Sequence, residues 1–325
     1  MSRVRVAAIG AGRMGRGIAH VFAYAGHQVD LIDLKPRDAT AFAKLRDEAL
    51  AEIRTDLESL AGLGVCDKAA IPTVMSRITV VGATAAPAAL AKADVLFEGV
   101  PETLDAKREA FAETCKHARP DAIIASTTST ILVDTLAEFV THKERFINAH
   151  WLNPAYLVPL VECSPGKHTA PETTARLKEI LESAGKVPIV CAAAPGFIVP
   201  RIQTLAMGEA ARIVEAGLAT AEDVDKATRY GFGFRFAVLG LVEFIDYGGI
   251  DIMHLASNYL AREMGPRYQP PPGVAERMER GDIGLKSGKG YYDFTGVDVA
   301  AYRRDVLARF VGQLRHMNMV KPPVL

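Results

Sequence analysis

Cysteine is scarce in this chain, and the few present are scattered. Cys66, Cys115, Cys163 and Cys191 make no C-x-x-C pair. That argues against a cysteine-built metal centre and a disulfide framework, and it fits a reducing cytoplasm. A surplus of charge of one sign is lacking too. Lys plus Arg number 38 and Asp plus Glu number 38, so the net charge is zero. Bulk charge therefore gives no reason to expect nucleic acid or another polyanion as partner. No apolar run approaches the ~18 residues that a membrane span needs. The first residues pass straight into a strand pattern with no signal peptide, so the expected location is cytoplasmic. No repeat and no low-complexity segment interrupts the 325 residues, a length that suits one or two domains.

What the chain does contain is a glycine-punctuated opening. Residues 4–33 read strand, tight turn, helix, strand. Val4, Val6, Ala8 and Ile9 form an apolar run suited to a buried parallel strand. Gly10, Gly12 and Gly15 follow as G-x-G-x-x-G, with Met14 inside the motif. In that pattern the glycines serve the tight turn, the approach of backbone to a pyrophosphate, and close helix–strand packing. Ile18, Val21, Phe22 and Ala25 recur at helical spacing. Asp33 closes the second strand where an acid can hold both ribose hydroxyls of NAD. Its charge favours NAD over NADP, and the nearby Lys35 and Arg37 oppose that preference.

The pattern continues with a long helix over 36–62 and strands at 78–81, 94–98, 122–125, 146–149, 160–163 and 187–190. Helices are predicted at 104–115, 131–139 and 171–184. Alternating strands and helices predict a doubly wound α/β domain. From residue 197 onward apolar residues run at helical spacing, with a possible extended segment at 291–294. The chain therefore reads as an α/β dinucleotide-binding domain, residues 1–192, followed by an all-helical domain, residues 193–325.

Three polar turns are expected where strands end, the side of an open α/β sheet on which ligands bind. They are 99–102, 126–130 and 150–154. His150, read as directly following a strand, suits a general base that takes an alcohol proton as hydride leaves the same carbon. Glu162, at the end of the next strand, could orient and charge-stabilise the ring. Each also has a plainer reading. His150 could be a structural histidine, Glu162 a solvated or capping carboxylate, Ser129 part of an N-cap cluster, and Trp151 core.

The chain resembles the L-3-hydroxyacyl-CoA dehydrogenase family along nearly its whole length. The shared stretches are GAGRMGRGIA, FEGVPETLDAKREAF, ASTTST, RFINAHWLNPAYLVPLVE, PGFIVPRI and GLKSGKGYYDF. The resemblance implies a Rossmann-type domain followed by a helical domain that dimerises, with NAD as cofactor. It implies His150 as the catalytic histidine, Glu162 as its carboxylate partner and Ser129 as a hydrogen-bond donor to the substrate oxygen. Glu102, Lys107, Asn153 and Lys286 match cofactor-contacting positions, as Ser129 does.

Some positions depart from the family pattern. Thr127 stands where an asparagine is usual, and Pro200 replaces the asparagine of PGFIVNR. Proline offers no side-chain donor but is tolerable in a first helical turn. Gln203 and Thr204, one turn later, are candidates to supply the missing group. The segment 231–243 is more similar to the lambda-crystallin, L-gulonate dehydrogenase and carnitine dehydrogenase branch, whose enzymes act on free carboxylates. Arg235 within it could grip a carboxylate with two parallel hydrogen bonds. The expected activity is oxidation of a short L-3-hydroxyacyl-CoA. The alternatives are a free small 3-hydroxy acid as substrate, and an NAD-binding crystallin-like protein without turnover.

Overall fold

The computed structural model describes residues 3–323. In chain order the first part comprises β1 (Arg5–Ile9), α1 (Arg13–Tyr24), β2 (Gln28–Ile32), α2 (Ala39–Gly62), α3 (Ile71–Met75), β3 (Ile78–Val81) and α4 (Ala86–Leu90). It continues with β4 (Val95–Glu98), α5 (Leu104–His117), β5 (Ile123–Ser126), α6 (Val133–Ala137), β6 (Phe146–Trp151), β7 (Leu160–Pro165), α7 (Pro171–Ser183), β8 (Val187–Val190) and α8 (Val199–Glu215). One eight-stranded sheet has the order β3-β2-β1-β4-β5-β6-β7-β8. All neighbours are parallel except β6 and β7. The order reverses between β1 and β4, which opens a crevice at the carboxyl ends of those strands.

The pleat explains the two apolar layers. Successive strand side chains point to opposite faces. Val6 and Ala8 join Ile18, Phe22, Ile53, Leu57 and Leu177 on one face, while Ala7 and Ile9 join Leu90, Phe111, Leu136 and Phe146 on the other. Burying each large side chain contributes about 1.5–3 kcal/mol. Trp151 is core, edge-on to Phe22 and Phe97.

Several boundaries differ from those read in the sequence. β6 extends to Trp151, so His150 lies inside the strand rather than after it. β7 runs to Pro165, so Glu162 is within that strand, not at its end. Both extensions come from antiparallel pairing, with His150 opposite Glu162 and Trp151 opposite Val161. α2 starts only at Ala39, where the Asp38 carboxylate accepts from the Ala41 N–H at 2.8 Å. α6 is shorter than the predicted 131–139 because Ile131 is tied outside it. Its N–H goes to Thr128 Oγ1 and its carbonyl accepts from Asn148 Nδ2.

The chain divides into two compact units, residues 1–205 and 206–325, a division that falls within α8. The second unit is helical, with α9 (Ala221–Ala227), a π-helical turn (Thr228–Gly233), α10 (Phe234–Phe236), α11 (Leu241–Gly248), α12 (Ile250–Met264), α13 (Pro272–Arg280) and α14 (Val299–His316). The segment 291–294 is not a strand. Isolated bridges join Gly284 to Lys289 and Lys289 to Asp293. The Tyr291 and Tyr292 N–H groups donate instead to the fully buried Asp246 carboxylate, at 3.0 and 2.7 Å. Among the described residues no helix is long and apolar enough to cross a membrane.

A buried polar cluster pins the loop between β6 and β7. Lys186 Nζ donates to the carbonyls of Val158, at 2.9 Å, and Ala155, and it lies 5.6 Å from the centre of the Trp151 ring. Burial pushes its ammonium down to about 8. His20 on α1 stacks on Tyr156 from that loop, with ring centres 4.7 Å apart. Burial, and then the charge of Lys186, push the imidazole down to about 4. The unfolded chain therefore binds one more proton than the folded one as pH falls from about 6.5 toward about 4. Stability is lost over that window, by roughly 2–3 kcal/mol between pH 7 and pH 4.5. His20→Phe keeps the stack and removes the titration. Urea midpoints for the two proteins should diverge in favour of the variant as pH falls, and a constant difference would exclude this role for His20.

Candidate active site

The carboxyl ends of β4 and β5 are tied by a network that begins with Glu98, the last residue of β4. Its Oε1 accepts the Val100 N–H at 2.8 Å and its Oε2 the Ser126 hydroxyl at 2.6 Å. Lys107 on α5, fully buried, places Nζ 3.0 Å from both Glu98 oxygens and 3.1 Å from Glu102 Oε2. Glu102 Oε1 accepts the N–H groups of Ser129 and Thr130, at 2.9 and 3.0 Å, and the hydroxyls of Thr130 and Thr128. Burial pushes the Glu102 carboxyl up, but Thr128, Lys107 and Thr130 together outweigh it and hold it at about 2. The 99–102 turn and the 126–130 turn are thus locked to each other. Ser129 stands exposed at the top of the second.

On the neighbouring strand, His150 Nδ1 lies 2.9 Å from Glu162 Oε2, with both side chains buried. A carboxylate only accepts, so Nδ1 carries a proton, and in the neutral ring Nε2 then holds the lone pair. The other oxygen, Glu162 Oε1, accepts the N–H groups of Ile198 and Val199 at 2.8 and 2.9 Å, at the start of α8. Pro200 sits in the first turn of that helix without interrupting it. Such an arrangement can remove a proton from a hydroxyl at Nε2 and stabilise the resulting imidazolium through Glu162.

The glycine motif fits a dinucleotide. Gly10 has φ +97°, and a Cβ there would lie 2.8 Å from the Gly99 carbonyl oxygen. A Cβ on Gly15 would lie 1.9 Å from the Gly10 oxygen. Gly12, in contrast, faces open space at the N-terminus of α1, where the helix dipole favours a phosphate. A cleft of about 820 Å³ runs along Gly10, Gly12, Asp33, Arg37, Gly99 and Ala110. Met14, half-buried, packs beside it, its Cβ 3.5 Å from where a Gly99 Cβ would stand. Asp33 is buried and ion-paired with Arg37 on the cleft wall.

Asn153 is exposed on the loop after β6. Gln203 and Thr204 are exposed on the second turn of α8. In the second unit, Lys286 pairs with both oxygens of Asp251 at 3.0 Å. Arg235 is exposed there, donates from Nε to the Gly231 carbonyl at 3.1 Å and lies over the Phe244 ring. Two members of the site were missed in the sequence. Glu98 looked like any acid at a strand end, although its partner Lys107 follows nine residues later. Phe197, stacked on His150 with ring centres 4.8 Å apart, looked like one more apolar residue.

Comparison with known proteins gives concordant results. Residues 5–194 match the family model described as 3-hydroxyacyl-CoA dehydrogenase, NAD binding domain, and residues 196–312 match its C-terminal domain. The 3-hydroxybutyryl-CoA dehydrogenase of Bradyrhizobium diazoefficiens is 34% identical over 90% of this chain and 96% of its own. The 5-formyl-3-hydroxy-2-methylpyridine 4-carboxylate 5-dehydrogenase of Mesorhizobium japonicum is 30% identical over 95% of this chain and 97% of its own. A solved 3-hydroxyacyl-CoA dehydrogenase from Archaeoglobus fulgidus superimposes with a TM-score of 0.76 at 29% identity, covering 98% of this chain and 100% of that one. Both halves of the chain are accounted for, and it belongs to the 3-hydroxyacyl-CoA dehydrogenase family of NAD-dependent oxidoreductases.

Proposed function

We propose that the chain oxidises the 3-hydroxyl of a short L-3-hydroxyacyl-CoA, of the 3-hydroxybutyryl-CoA type, to the 3-keto form. The observation that carries this reading is the buried His150–Glu162 pair at the carboxyl edge of the sheet. The relative named 3-hydroxybutyryl-CoA dehydrogenase supports the substrate class. His150 Nε2 takes the hydroxyl proton, Glu162 balances the imidazolium, and the Ser129 hydroxyl hydrogen-bonds the substrate oxygen. NAD, when bound, supplies the hydride acceptor. Backbone at Gly12 approaches its pyrophosphate, in a turn that Gly10 and Gly15 make possible, and Asp33 takes its ribose hydroxyls, with Met14 and Asn153 beside it. Glu102 and Lys107 hold the turns that border the cofactor, and Lys286 is assigned to it by family resemblance. Homodimerisation through the helical unit is part of the same proposal. Ile252, Leu255 and Tyr259 form an exposed apolar stripe on α12, and sedimentation of the full chain measures the state.

Two observations favour a second reading, oxidation of a free hydroxy acid. The substrate named for the Mesorhizobium relative carries a carboxylate. Arg235 also has no carboxylate partner among the described residues. A crystallin-like protein without turnover rests on Pro200 alone, and the intact dyad opposes it.

Three experiments test these assignments. NADH should bind more tightly than NADPH in a fluorescence titration, and Asp33→Ala should narrow the gap. Equal affinities in the wild type would mean that Lys35 and Arg37 override Asp33. His150→Gln should lower kcat by ~10²-fold or more with NADH binding little changed, and Glu162→Gln should do less. Near-normal turnover in the His150 variant removes the mechanism. Finally, KM is compared for 3-hydroxybutyryl-CoA and for free 3-hydroxybutyrate, L-gulonate and carnitine in wild type and Arg235→Lys. With a CoA thioester as substrate the change leaves KM in place. A strong rise confined to a free acid identifies the second reading, because a point charge does not reproduce the guanidinium fork.

A further inference from the structure

We infer that Phe197 is a positioning residue for the reaction, holding the His150 imidazole in the plane in which Nδ1 meets Glu162 and Nε2 stays presented to the substrate. This rests on the assignment of His150 as base. The two rings are stacked, with centres 4.8 Å apart and planes 10° from parallel. Phe197 is buried, at 7% exposure, yet it belongs to none of the three apolar clusters of the molecule. One face of its ring lies against the His150 imidazole.

The backbone gives a second, independent sign. Phe197 has φ +43°, in the left-handed region that a bulky side chain avoids, and Gly196 before it has φ +80°. Such strain persists only where surrounding contacts hold it. Here the turn delivers two things at once. It lays the Phe197 ring on His150, and it aims the next two N–H groups, of Ile198 and Val199, at Glu162 Oε1. One short segment therefore fixes both members of the pair. A flat aromatic face restrains tilt of the imidazole, shields one side from water, and attracts the ring electrostatically when it becomes a cation.

The test compares Phe197→Leu, which keeps apolar bulk but removes the flat face, with Phe197→Tyr, which keeps the face. The leucine variant should lose about tenfold in kcat, the rate equivalent of one aromatic stack. Its KM and its NADH affinity should stay near wild type, and Phe197→Tyr should restore kcat. A readout independent of turnover is the ring proton signal of His150 in protein labelled at histidine. There are eight histidines, and the signal that vanishes in His150→Gln identifies the right one. Its upfield ring-current shift should be present in wild type and Phe197→Tyr and absent in Phe197→Leu. If Phe197→Leu fails to bind NADH, Phe197→Met replaces it as a flexible apolar substitute. An unaltered kcat without the stack, or equal losses in the leucine and tyrosine variants, overturns the proposal. Failure of the base assignment is separable, because His150→Gln would then keep turnover while the ring-current shift in wild type stayed as described.

Discussion

The ammonium of Lys107 directs its donors to Glu98 and Glu102, and both carboxylates hold backbone at the ends of β4 and β5. Taking an ion out of water costs several kcal/mol even after relaxation, so buried charges persist only with opposite charge and hydrogen bonds on every side. One cation between two carboxylates leaves an excess of negative charge. Val100 N–H and the Ser126 hydroxyl meet it at Glu98, and the 128–130 segment meets it at Glu102. The turns 99–102 and 126–130 are therefore tied together by charge-assisted hydrogen bonds, with Glu98 fully buried and Glu102 partly open to water. They satisfy carboxylates that Lys107 alone cannot balance.

The dyad depends on a different constraint, the direction of one strand. Were β7 parallel to β6, like the other neighbours in the sheet, Glu162 would not stand opposite His150. Antiparallel pairing sets the two side by side in register, on the same face. Glu162 is then fully buried and needs donors beyond the imidazole. The start of α8 provides them from two backbone N–H groups that have no partner inside the helix. Proline at position 200 is compatible with this, because the donors lie at 198 and 199.

The nucleotide half of the fold was legible because its signals are local. Glycine spacing, a buried apolar run and an acid at the second strand end lie within residues 4–33. The direction of β7 was legible in principle. The connection 152–159 is too short for the dozen or more residues that a parallel crossover requires, so the strand had to return antiparallel. Glu98, Asp246 and Phe197 were not legible. A buried carboxylate differs from an exposed one only through partners that are distant in sequence, such as Tyr291 and Tyr292 for Asp246. The role of an aromatic residue likewise depends on which ring it meets.

α2 carries Asp47, Glu48, Glu52, Asp56 and Glu58 against Lys44, Arg46 and Arg54, an acidic surplus that on its face disfavours a ligand bearing phosphates. Glu52 is paired with Arg16 on α1, and Asp56 accepts the Tyr156 hydroxyl at 3.2 Å. Arg16 compensates the Glu52 charge within the first unit, whereas Asp56 meets a neutral hydroxyl and keeps its charge. Lys44 and Arg46 pair with Glu48 and Asp47 at the exposed surface. Such exposed pairs are worth about 0–1 kcal/mol and are screened by salt, so releasing either cation to a phosphate costs little. An acidic α2 is therefore compatible with a phosphorylated acyl carrier. The discriminating chemistry lies in groups that recognise a carboxylate with fixed geometry, a planar requirement that neither a lysine nor diffuse charge can meet.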